Sequence, residues 1–357
     1  MKVKKTAAFI LIITLLLSLF PAVFATGDTL TREFTDDLGR TVILPEKVER
    51  IALSGTLAQL YVMPLCQEKL VGYASQFSKD AESFFPKSVT SLPYLGRLYD
   101  GNGGTMDAES LLSVNPDVII DIGEAKKNMA EDFDKYSEIT GIPYVHINAT
   151  VQTAANAYLR LGELTGDIAK ARKLSDWCEE TYSEVCSIMN KVDADNVRKS
   201  ILFCLGNDGL NVIAEKSFHA MSINIVSDNA AKIENPVSSN LGNTVSFEQI
   251  MLWDPEVIIF GTQQAYETAT KTNQDVWKHL KSIQSGNYYM MPSIPYGWLS
   301  APPSVQHYLG LIWLCSILYP DYCTYNLEEK VTEFYSLFYS YNLSHEEYKK
   351  ILAGNWY

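Results

Sequence analysis

The chain has 357 residues, 47% of them apolar and 20% charged, a globular composition long enough for two domains of ordinary size. Its formal charge of −13 becomes −16 when Lys2, Lys4 and Lys5 are set aside with the first 25 residues, leaving 26 basic against 42 acidic side chains. That excess argues against nucleic acid as a partner, because phosphate binding needs clustered Lys and Arg.

The first 25 residues read as an export signal. MKVKK supplies the positive start, an apolar run follows, and Val23 and Ala25 place small side chains at −3 and −1 for cleavage before Thr26. Residues 6–25 carry no charge over 20 positions, so an uncleaved segment of this length would serve as a membrane anchor. The first cysteine is Cys66, which argues against a lipid-modified cysteine at the mature start. The expected location is periplasmic or otherwise extracytoplasmic. Of the six cysteines none form a CxxC pair, and Cys178 and Cys186 on one helix would lie about 12 Å apart, beyond disulfide reach. Free buried thiols are expected, with Cys315–Cys323 the one pairing left open.

After the signal, FTDDLGRTVILP predicts two extended pieces around a turn at Asp37–Gly39. VERIALSG then predicts a strand ending on Ser54, Gly55 and Thr56 before the helix TLAQLYVMPL. VGYASQF predicts another strand, SLPYLGRLYDGNGGT a Gly-rich loop, IPYVHI a strand, and the stretch to Gly166 a helix. From Asp167 to Val192 apolar residues recur at steps of three and four, which predicts one helix of about 39 Å with Asp167 as its N-cap. Beyond it RKSILFCLGNDG predicts a strand running into a turn, SFHAMSINIVS a helix, YYMMPS a strand, and VQHYLGLIWLCSILYP a helix. Further helices close the chain. The expected organisation is an N-terminal α/β lobe over 26–166, a connecting helix over 167–192 and a C-terminal α/β lobe over 193–357.

One unit occurs twice. AESLLSVNPDVIID at 108–121 returns 139 residues later as FEQIMLWDPEVIIF at 247–260. Glu109 matches Glu248, Pro116 matches Pro255, and Val118–Ile120 match Val257–Ile259. Each copy is a short helix stopped by Pro and followed by an apolar β-branched run, the pattern of a parallel strand covered on both faces.

No GxSxG, HExxH, Walker loop or full GxGxxG is present, and His146, His219, His279, His307 and His345 show no metal-ligand spacing. The sequence therefore speaks for a non-enzymatic protein without a cofactor or resident metal. DDLGRTVILPEKVERIALSG, MDAESLLSVNPDVIID, ITGIPYVHI, the single long helix, DGLNVIAEKSFHAMSINIVSDNAAKIE, VSFEQIMLWDPEVIIF and WLSAPPSVQHYLGLIWLCSILYP, in this order, resemble the helical-backbone substrate-binding proteins of ABC importers that serve iron siderophores, haem and cobalamin. The resemblance runs from about residue 33 to 320. It implies two Rossmann-like α/β lobes joined by a single long α-helix, a small-molecule ligand in the cleft between them, and delivery to a permease dimer with its ATPase.

Carried over by position, the resemblance implies a cleft lined by Ser54, Gly55, Thr56, Gly96, Arg97, Tyr99, Asn207, Asp208, Tyr296 and Trp298. The aromatic pair would stack on a flat ligand and Arg97 would pair with an anionic group. Glu109 and Glu248 would meet the permease, one on each lobe. The expected ligand is an iron chelate, as a siderophore or haem, or a corrinoid. Leu241–Asn243 stand where cobalamin binders carry an aromatic, and Arg97 is the one evident base, so an oxoanion such as molybdate or tungstate is the alternative within the binding class. An exported two-lobed α/β enzyme is the alternative outside it.

Overall fold

The structure is a computed structural model that describes residues 30–99, 104–239, 241–299 and 302–354. The predicted signal segment lies outside the described residues. Among those described, no helix is long and apolar enough to cross a membrane.

Chain entry is a hairpin of β1 (Thr31–Thr35) and β2 (Thr41–Pro45), paired antiparallel with Phe34 opposite Val42. Gly39 makes the turn at φ +79°, open to Gly but strained for side chains. Three parallel strands, buried throughout except for Asn148 at the end of β5, form the first sheet in the order β3–β4–β5: β3 (Ile51–Leu53), β4 (Val118–Gly123) and β5 (Tyr144–Asn148). Their largely apolar runs are what burial on both faces requires, and the two polar exceptions inside them, Asp121 and His146, bond to each other. VGYASQF makes only single-residue bridges at its margins, Ile51 with Leu70 and Tyr73 with Tyr94, rather than the predicted strand.

The second sheet centres on β6 (Ser200–Leu205). Along it run β10 (Val257–Phe260) and then β11 (Tyr288–Met290), both parallel. Its other edge is shared by the short β8 (Asp228–Asn229) and by β7 (Asn211–Val212), which pairs in turn with β9 (Asn243–Thr244). The two copies of the sequence repeat supply β4 and β10, each lying between two parallel neighbours.

Between the sheets runs a 27-residue helix, Ile168–Ala194, which buries Leu174, Trp177, Cys178, Val185 and Val192. The expected cap is corrected: the Asp167 side chain makes no capping bond and turns to Lys69 Nζ at 2.9 Å. The helix packs closely on Ala154–Thr165, where a Cβ on Gly162 would stand 2.4 Å from Ala171 Cβ. All six cysteines are free, and burial pushes the Cys66 thiol up to about 12.

The helix Leu327–Tyr339 crosses back to the first sheet's layer and packs on Thr56–Cys66. Phe338 meets Tyr158 at 5.9 Å between centroids, and Glu333 accepts from Trp177 Nε1 at 3.0 Å. Tyr308, on the helix His307–Leu318, donates to the Val151 carbonyl at 2.7 Å. One apolar core thus runs continuously from Ile51 through the long helix to Phe334 and Ile351.

Candidate functional site

A cavity of about 290 Å³ opens outside the carboxyl ends of β3 and β4, the edge of a parallel sheet where ligands gather. Its floor is the turn Ser54–Gly55–Thr56 that joins β3 to the helix Thr56–Cys66. Gly55 is the N-cap of that helix and has no side chain to spend on the first amides, so Thr56, Leu57 and Ala58 offer their N–H groups and the positive helix end to the cavity.

Two loops supply the charged walls. Arg97 and Tyr99 follow Gly96, whose φ of +81° and close approach to the Thr105 carbonyl exclude a Cβ. Leu98 N–H bonds to the Ser54 carbonyl at 2.7 Å, which pins this loop to the floor. Lys126, after β4, holds its ammonium 3.8 Å from the Tyr99 ring centroid, a cation–π contact that aims the charge along the cavity. Partial burial lowers the Lys126 pKa while the Asp121 carboxylate opposes the shift. Burial, then the Asp132 and Asp121 charges, raise the Tyr99 phenol, so it stays a neutral donor; its oxygen is buried without a protein partner among the described residues.

The remaining wall is a hydrogen-bonded chain. Asp121, the last charged residue of β4, is 8% exposed. It accepts from the Ser54 hydroxyl through Oδ1, and its Oδ2 lies 2.7 Å from Nδ1 of His146, a fully buried residue of β5. Phe218, His219 and Pro303 close the cavity from the second half of the chain. Burial lowers the His219 pKa, and its Nδ1 is enclosed without a protein partner among the described residues.

Of the residues expected at the site, Ser54, Gly55, Thr56, Arg97 and Tyr99 come together at this cavity. The others do not line it. Asn207 gives its carbonyl to Thr268 Oγ1 at 2.9 Å, and Asp208 accepts from Leu210 N–H at 3.0 Å, so both serve the turn after β6. Tyr296 is largely buried against Phe85, with ring centroids 6.2 Å apart. Trp298 is corrected from a stacking face to a core residue at 0% exposure, its ring set edge-on to Trp313 within the core. Asp121, Glu124, Lys126 and His219 were missed by the sequence reading. The signal for Asp121 was available, since it ends the run VIID at a strand's carboxyl end. No group of three or more His, Cys, Asp or Glu able to hold a metal ion occurs among the described residues.

A model of the family described as periplasmic binding protein matches residues 100–295. Among curated proteins the chain is similar to molybdate-binding protein MolA of Haemophilus influenzae, 23% identical over 334 residues that span 86% of this chain and 91% of the relative. Among solved structures it is similar to an ABC transporter solute binding protein from Sulfurospirillum deleyianum, 28% identical, with 90% and 98% of the two chains covered and a TM-score of 0.81. A periplasmic solute binding protein from Veillonella parvula follows at 24% identity, 90% and 97% coverage and a TM-score of 0.73. MolA bound to molybdate shares the fold at 19% identity, 88% and 99% coverage and a TM-score of 0.65.

Proposed function

We propose that this chain, which belongs to the periplasmic binding protein family, captures a compact oxoanion of the molybdate and tungstate class in the cavity at Ser54–Thr56 and delivers it to an ABC permease with its ATPase. The coarser role is that of the family: a non-enzymatic, extracytoplasmic solute-binding component of an ABC transporter. The observation that carries the ligand reading is the donor-lined cavity, in which an uncapped helix N-terminus meets Arg97 and Lys126 within about 290 Å³. Sites for drug-sized ligands run from about 300 to 1,000 Å³, so a haem, a corrinoid or a large siderophore chelate needs more room than this. An anion of a few heavy atoms fits, and fixed amides together with two cations favour it strongly in a partly desolvated site. The relative named for molybdate supports the same class.

A thermal-melting screen of the mature protein against molybdate, tungstate, sulfate, phosphate, haem, ferric siderophores and cobalamin tests the reading. A ligand at a hundredfold excess over Kd stabilises by about 2.7 kcal/mol, enough for a rise of several degrees. Molybdate or tungstate is expected to give that rise. Stabilisation by a chelate or corrinoid with no response to any oxoanion overturns the reading in favour of the iron-chelate or corrinoid ligand that the sequence resemblance implies.

A further inference from the structure

One wall of the cavity runs against its positive character. Asp121 lines it, and an ionised carboxylate repels a bound anion. From behind, both oxygens of Asp121 are engaged, Oδ1 by Ser54 and Oδ2 by His146 at 2.7 Å. A carboxylate only accepts, so the single Ser54 hydroxyl proton points at Asp121, and His146 turns its Nδ1 proton the same way. Ser54 and Asp121, 3% and 8% exposed, therefore present lone pairs alone to the cavity. Thr56, Arg97, Lys126 and the helix amides present donors to the same cavity. A fully ionised oxoanion satisfies these donors and is repelled by the acceptors of Ser54 and Asp121. An oxoanion accompanied by a proton satisfies both.

Resting on the oxoanion reading, we infer that the site takes up its anion together with one proton, shared between the Asp121 carboxylate and the ligand oxygen that faces it. The groups around Asp121 narrow the choice of carrier. Arg97 and Lys126 are already charged, Tyr99 keeps its proton, and Glu124 is exposed to solvent. His146 is fully buried outside the cavity lining, and its Nε2 has no protein partner among the described residues to hold a second proton. His219, on the far wall, is the competing carrier, since burial keeps it neutral until an anion arrives.

Calorimetric titration of the mature protein with molybdate near pH 7.5, in two buffers of different ionisation enthalpy, counts the protons. Uptake of about one proton per anion is expected, with Kd tightening about tenfold per pH unit as pH falls from about 8 to about 6. In Asp121→Asn the amide donates to Ser54 Oγ and frees the Ser54 proton for the anion, so proton uptake should vanish, the pH slope flatten, and affinity at the alkaline end equal or exceed that of the unaltered protein. His219→Gln should keep the slope whatever it does to affinity. Molybdate binding without proton uptake overturns the inference, as does uptake lost in His219→Gln. If Asp121→Asn does not fold, the unaltered protein and His219→Gln decide on their own. No heat with molybdate, tungstate, phosphate or sulfate ends the oxoanion reading and this inference with it, an outcome distinct from proton-free binding.

Discussion

Trp298 sits edge-on to Trp313, with ring centroids 6.5 Å apart and planes at 83°, and its backbone N–H bonds to the Pro292 carbonyl at 3.1 Å. Truncating so large a side chain at zero exposure leaves a cavity that its neighbours fill only in part. Trp298→Ala should therefore cost about 3–5 kcal/mol of stability, read by chemical denaturation, while the folded fraction keeps its ligand affinity. A variant that stays stable and loses the ligand would return Trp298 to the site. An aromatic in a Gly/Pro-rich loop reads alike from sequence whether it turns outward or inward, because what covers it is set by tertiary packing, here against Trp313 of the helix His307–Leu318. Ser54–Thr56 were legible for the opposite reason: their place at the end of a strand is local. The same rule, applied to VIID, points to Asp121. Lys126 was beyond it, since its position depends on the Tyr99 ring reaching it from another loop.

The repeated helix–Pro–strand unit is repeated down to its backbone. Asn115 and Asp254, each just before the proline, take φ of 42° and 40°, a left-handed conformation that Asn and Asp tolerate best among side chains. Asp107 and Ser246 cap the two helices by accepting from Ser110 and Gln249 N–H at 2.8 and 3.2 Å. All of this is encoded within some fifteen consecutive residues, so it was legible. The edges of the sheets were not, because a margin such as Tyr73 with Tyr94 depends on a partner found only after folding. Helix His307–Leu318 shows packing overruling propensity. Ala is favoured over Gly inside a helix by about 1 kcal/mol. At Gly310, however, a Cβ would stand 2.3 Å from the Trp298 carbonyl oxygen and 2.7 Å from Leu299 Cδ2. Gly310→Ala should thus destabilise by about 1–3 kcal/mol in a denaturation series. A neutral or stabilising result would mean that the loop carrying Trp298 yields at little cost.

The two sheets are held at a set distance by more than the long helix, because Leu327–Tyr339 and the Tyr308–Val151 bond also cross from one to the other. A frame of this kind carries surface groups at fixed spacing. Glu109 and Glu248 lie exposed in the first turns of the matched helices Ala108–Ser113 and Phe247–Trp253, one beside each sheet. Hydrogen bonds from its own backbone N–H and from Ser246 lower the pKa of the Glu248 carboxyl and keep it ionised. Three residues after each Glu stands an exposed aliphatic, Leu112 at 51% and Met251 at 45%, so each corner offers a carboxylate with an apolar neighbour. We propose that these corners dock on the permease, where two rigidly spaced charges fix orientation and hasten encounter more than they add affinity. Glu109→Arg and Glu248→Arg should each leave melting temperature and ligand affinity nearly unchanged yet slow uptake into vesicles reconstituted with the transporter, and the double variant should be slower than either. Raising the salt should weaken uptake by the unaltered protein and shrink its advantage over the variants, because exposed ion pairs are screened within about 10 Å at 0.1 M ionic strength. Uptake by either single variant at the unaltered rate in low salt would confine that glutamate to the turn it stabilises.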